Sequence, residues 1–186
     1  MGPVSDEARN RAGELILQSL HESGRAVRAL VMEMQLCSHE RLSPRIKREL
    51  ALNFISQLHE VTAERIHDLT VATLWRMGPE VAGALQVTIR KSPHRVERET
   101  AARALLEISD RLKKVDDLIR FLRPLEKSDA LVPGQAIRMV GRLCAHPKAS
   151  PKLVREIFKD YSKRATEGFD RIAALGWIAS SPGCES

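Results

Sequence analysis

Aromatic residues make up only 4% of this 186-residue chain. A core built on stacked rings is therefore excluded, and Leu, Ile, Val, Ala and Met must fill the interior. Such side chains suit close-packed helices, where small residues let backbones approach. The three cysteines, Cys37, Cys144 and Cys184, are odd in number and far apart. That argues against a disulfide framework or a Cys-x-x-Cys metal knuckle and points to a reducing compartment. No apolar run approaches the ~20 residues of a membrane span. The first residues lack a basic stretch followed by an apolar one, so no leader and no membrane partner are expected, and the expected location is cytoplasmic. Met1-Gly2 invites N-myristoylation, but Pro3 follows, and Asp6 stands where Ser or Thr is needed.

Strand signals are missing too: there is no alternating Val/Ile/Thr run and no Asn-Gly turn. Helix punctuation is frequent instead. Ser43-Pro44, Ser92-Pro93 and Ser150-Pro151 each place a hydroxyl cap before a proline at the first helical position, where its fixed φ helps and its missing N–H costs nothing. Gly78-Pro79 reads as a stop followed by a start. Thr62, with Glu64 in the first turn, opens another helix. With apolar spacings of three and four, these marks predict ten helices, at about 5–22, 25–37, 44–59, 62–77, 79–91, 93–109, 112–122, 131–146, 150–163 and 165–180. The one longer connection, Arg123 to Ala130, is expected to be a hinge or an exposed loop. Length fits a single helical-repeat domain spanning 1–186.

Sequences that carry catalysis are also lacking. There is no Gly-x-Ser-x-Gly, no Gly-rich phosphate loop and no cysteine with an evident partner; Cys37 and Cys144 lie in apolar helical context as inert thiols. Asp116 and Asp117 are adjacent and point apart. Glu64-x-x-His67 has the spacing of a di-iron half-site but has no second copy, and the six histidines form no His-x-x-x-His pair. No enzyme activity, metal or cofactor is expected. Trp75 and Trp177 read as packing residues, with Trp177 sealing the end of the stack.

What is present is a loose repeat. Leu30, Leu74, Leu105, Leu143 and Leu175 recur at intervals of about 30–45 residues, one helix pair each, the mark of an α-solenoid. Arg98, Ala101, Ala102, Ala104, Leu105 and Ile108 resemble the second helix of a HEAT unit, and Ala174-Leu175-Gly176-Trp177-Ile178 resembles the end of another. The resemblance to the HEAT-like, armadillo-type repeat family implies an all-α fold: about five antiparallel helix pairs in a right-handed superhelical stack. The chain departs from that family at 91–94, which read Lys-Ser-Pro-His where the family has Asp, and at Glu97, where it has Val. Tetratricopeptide repeats share the period, but their markers are out of register here, and an irregular helical bundle is the plain alternative.

Formal net charge is +6 and leans to the C-terminal end. Lys152, Arg155, Lys159 and Lys163 recur at three, four and four residues, within roughly 80° on a helix. Leu153, Val154, Ile157, Phe158 and Tyr161 take the other side. Arg138, Arg142 and Lys148 add cations nearby. These seven form the candidate surface for a partner or for phosphate. It is either a solvated face that keeps the protein dispersed or a docking surface. The expected function is a non-catalytic interaction module that docks a protein partner, acidic if this face is used. The alternative is nucleic-acid binding through the C-terminal basic face. Some alkylpurine DNA glycosylases are built on HEAT-like repeats, though no residue here maps onto such a site.

Overall fold

The computed structural model describes residues 5, 7, 8, 10, 11, 14, 42–60 and 64–180. Of the expected helix 5–22 the described residues 7, 8, 10, 11 and 14 are helical, whereas the expected helix 25–37, with Leu30 and Cys37, and Thr62 lie outside the described residues. The described residues contain eight α-helices and no strand. No described helix is long and apolar enough to cross a membrane. The chain divides into two compact units, Met1–Ile108 and Ser109–Ser186.

In the first unit, α1 (Pro44–Ser56) starts where expected: the Ser43 hydroxyl accepts from the Ile46 N–H at 3.5 Å, and Pro44 fills the first turn. The helices α2 (Glu64–Met77), α3 (Ala82–Lys91) and α4 (Arg95–Ile108) follow. Gly78, at φ 87°, makes the reversal between α2 and a 3-10 turn at Pro79–Val81 that leads into α3. Only glycine adopts that backbone without strain. Packing runs α1 on α3, α2 on α4, and α3 on α4. Phe54, Leu74, Leu85, Ile89, Leu105 and Ile108 are fully buried between them. Thr70, Thr73 and Thr88, also buried, satisfy their hydroxyls on the carbonyls of Ile66, Leu69 and Ala84 one turn back. Trp75, expected to pack, is instead 43% exposed.

The start of α4 departs from the sequence expectation. Ser92 was to cap a helix beginning at Pro93, yet α4 begins at Arg95. The Ser92 hydroxyl accepts from the His94 N–H at 3.1 Å and donates to Glu97 Oε2 at 2.6 Å. A nearer partner takes the cap's oxygen, and the chain makes one more turn before coiling. The Arg98 guanidinium ties that turn down by donating to the carbonyls of Ser92 and Pro93.

In the second unit, α5 (Asp116–Leu122) is shorter than its expected span, and Arg123–Lys127 continues as a 3-10 turn. Helix α6 (Gln135–Cys144) starts at Gly134, which is left-handed at φ 77°. Pro133 displaces the expected start at 131, because the residue before a proline avoids helical backbone. Helix α7 (Pro151–Lys163) is capped by Ser150, whose hydroxyl accepts from the Leu153 N–H at 3.4 Å. Helix α8 (Phe169–Ala179) packs mainly on α6 and also on α7. Gly141 sets the α6–α8 distance: a Cβ there would lie 2.7 Å from the Ala174 Cα and 3.0 Å from the Trp177 ring. Trp177 is thus a packing residue.

Candidate cationic groove on the second unit

Helix α7 buries one side and exposes the other. Val154, Ile157 and Tyr161 are buried, a spacing of three and four that defines an inner face. Lys152, Arg155, Lys159 and Lys163 are all exposed and centre about 170° away on the helical wheel. None makes an ion pair with a described residue. Phe158, expected on the inner side, is 36% exposed and borders the stripe on one edge. Glu156 and Asp160 border it on the other.

Beside the stripe lies an open groove of about 1040 Å³, lined by Arg120, Lys127, Lys152 and Glu156, among others, with Arg123 and Asp160 also on its wall. Its polar base is tightly paired. The Tyr161 hydroxyl donates to Glu126 Oε1 at 2.6 Å, and Arg123 donates to both Glu126 oxygens at 2.8 and 3.0 Å. Arg123 also pairs with Asp160 and lies 5.1 Å over the Tyr161 ring; Arg164 closes on Asp160 from one turn along α7. The expected hinge at Arg123 to Ala130 is therefore pinned at its start, with the Glu126 side chain 3% exposed.

These contacts set the protonation states. Burial would raise the Asp160 pKa, but hydrogen bonds from Arg164 and Arg123 outweigh it and hold the carboxyl below its usual range. Burial, reinforced by the Glu126 carboxylate, pushes the Tyr161 phenol well above its ordinary value. Burial opposes the charge on Arg123, yet Asp160 and Glu126 raise its pKa further. Asp116 is likewise lowered against burial, through hydrogen bonds from Ser150. Arg123 and Asp160 are therefore held as a fixed ion pair beside the neutral Tyr161 phenol, which leaves Arg120, Lys127 and Lys152 as the groove's adaptable cations. Arg120 holds only a loose 3.4 Å pair with Asp117.

The seven expected site residues separate. Lys152, Arg155, Lys159 and Lys163 form one row, and Arg142 is exposed on α6. Arg138 is paired with Asp170, whose carboxylate occupies the space a side chain at Gly134 would need. Lys148 donates to the carbonyls of Asp110 and Leu112 at 2.7 and 2.9 Å, satisfying chain ends that no helix bond reaches. Those two serve the fold. Arg120 and Lys127 were not read as site residues; helical spacing on α7 carries no signal for cations contributed by α5 and the turn after it.

A second polar cluster lies in the first unit. His59, on the 3-10 turn Leu58–Glu60, places Nδ1 2.7 Å from Glu97 Oε1. Its ring stacks on that of His94, with centroids 3.9 Å apart and planes 6° from parallel. Glu97 is 5% exposed. One ligand atom from each of the three residues falls within a 4.8 Å span, so they could hold a metal. Pairs 35 and 38 residues apart leave no local spacing to read, although His94-x-x-Glu97 alone had the one-face spacing. The Glu64–His67 pairing lies outside the described side chains.

Comparison with known proteins returns nothing: no family model, curated protein or solved structure matches the chain significantly.

Proposed function

We propose that the chain is a non-catalytic helical-repeat interaction module that docks an acidic protein segment along α7 and its adjoining groove. The observation that carries this reading is the row of four exposed cations without ion pairs among the described residues. Long charged side chains left unpaired on one face remain available to a partner, and complementary charge speeds encounter and fixes register. The row covers about 16 Å of helix, the length of a short extended peptide. Its borders favour protein over nucleic acid. Glu156 on one edge would repel a continuous phosphate backbone, whereas a peptide with mixed side chains can avoid it; Asp160 beside it is already paired with Arg123 and Arg164. Phe158 on the other edge offers an apolar anchor.

A HEAT-like architecture fits this role. First helices packed on first helices and second on second, as α1–α3 and α2–α4 are, is the order stacked pairs produce. Solenoids present extended surfaces without a closed pocket, and such a surface suits a linear partner. The alternative, a nucleic-acid binder using the same face, makes a different prediction. Fluorescence anisotropy at low salt, with a Glu/Asp-rich peptide, a single-stranded RNA and a DNA duplex as probes, separates the two. Peptide binding that outcompetes both nucleic acids supports the docking role, and tighter nucleic-acid binding supports the alternative. Binding of none of the probes leaves the stripe a solvated face.

A further inference from the structure

We propose that His59, His94 and Glu97 form a binding site for a divalent transition-metal ion of borderline softness, such as Zn²⁺. Two imidazoles and one carboxylate are donors that this class of ion prefers, and three protein ligands leave a coordination position for water.

The site is organised before any ion arrives. Glu97 sits in the first turn of α4 and is buried. The Ser92 hydroxyl donates to its Oε2 at 2.6 Å, an outer hydrogen bond of the kind that orients metal-binding carboxylates. Its other oxygen, Oε1, faces His59 Nδ1 at 2.7 Å. The two rings are exposed, and on its other side Glu97 borders an open depression of about 530 Å³ lined by Glu49, Asn53, Lys91 and Ser92 among others, but by neither histidine. An ion thus approaches from the solvent side of the exposed rings and meets a carboxylate held in place by Ser92. A buried carboxylate gains more from a cation than an exposed one does, because less water screens the pair.

The donor atoms span 4.8 Å, whereas bonds of about 2.0–2.1 Å place tetrahedral ligands roughly 3.3 Å apart. Rotation of the exposed imidazoles closes that difference, and the parallel stack opens so that both ring lone pairs converge. The step is an association of Lewis acid and base. His59 binds as a neutral imidazole through Nδ1, so a proton on that nitrogen moves to Nε2 or, where Nε2 already carries one, leaves to solvent, and the metal takes its place.

The test uses the full chain freed of metal with a chelator. Calorimetric titration with ZnCl₂ should show one ion bound per chain through this site, with a melting temperature that rises with Zn²⁺. His94→Ala and His59→Gln, the second keeping a hydrogen-bonding amide beside buried Glu97, should fold as the wild type does by circular dichroism and bind at least about tenfold more weakly. His67→Ala should bind as the wild type does. With Co²⁺ as probe, the visible bands should appear without a thiolate charge-transfer band. No heat of binding, binding that survives both histidine changes, or a thiolate band would each overturn the assignment.

Discussion

In residues 1–108, 15 basic side chains meet 14 acidic ones, and among the described residues two charged groups, Lys47 and Glu97, are buried. In residues 109–186, 15 basic side chains meet 10 acidic ones, and four of the basic ones stand in solvent along α7. A charge taken out of water must find a partner. Lys47 has Glu80 at 3.7 Å, and Glu97 has His59 and Ser92. The second unit pairs charges at the base of the groove, and elsewhere at Arg138–Asp170, and leaves the stripe open. Charge placed inward fixes a local structure; charge placed outward costs the fold little and remains available for recognition. The two units can therefore be altered in opposite ways.

The largest effect should come from the apolar core of the first unit. Leu105 is fully buried, and Leu105→Ala should cost about 2–5 kcal/mol from lost transfer energy and a cavity, measured by urea denaturation. A change under about half a kilocalorie would place Leu105 on the surface. In the second unit, Gly141→Val forces side-chain atoms into the Ala174 backbone and should cost about 1–3 kcal/mol. A neutral result would mean that α6 and α8 are not in close contact.

Acid should then distinguish the paired base of the groove from the open stripe. Asp160 has a lowered folded pKa, so its stabilisation is fully present above its unfolded value of about 3.9 and is lost as pH falls through the folded one. Asp160→Asn should flatten the fall in melting temperature below about pH 4, and an unchanged acid limb would remove the network from the stability account. The smallest expected effect belongs to the stripe itself. Lys152, Arg155 and Lys159 changed together to Glu should shift stability by about 0.5 kcal/mol or less per site; a large loss would show that these cations hold the fold.

Much of this was legible in the residues, and the failures share a cause. Ser43 and Ser150 read correctly as caps: their oxygens accept from the Ile46 and Leu153 N–H groups, and Ser150 does so while its hydroxyl also bonds Asp116. Ser92 did not, because the His94 N–H takes the oxygen that the cap would have used. The α7 stripe was legible because every residue that defines it lies on one helix. Arg138 was misplaced among the available cations because its partner, Asp170, lies 32 residues on. Trp75 followed the rule that large apolar groups pack, yet its position on α2 leaves it 43% exposed. The His59–His94–Glu97 cluster joins a turn after α1 to the start of α4, and no periodicity connects those two places.

The central claim is that the exposed cations of α7 exist to bind an acidic protein segment. The direct measurement is fluorescence anisotropy of a Glu/Asp-rich peptide titrated with the wild-type chain and with the triple variant bearing Lys152→Glu, Arg155→Glu and Lys159→Glu. The wild type should bind with an affinity that weakens as salt is raised. The variant, equally folded, should lose at least about tenfold, or 1.4 kcal/mol of binding free energy. Equal binding by both proteins, or none by the wild type at low salt, would contradict the claim.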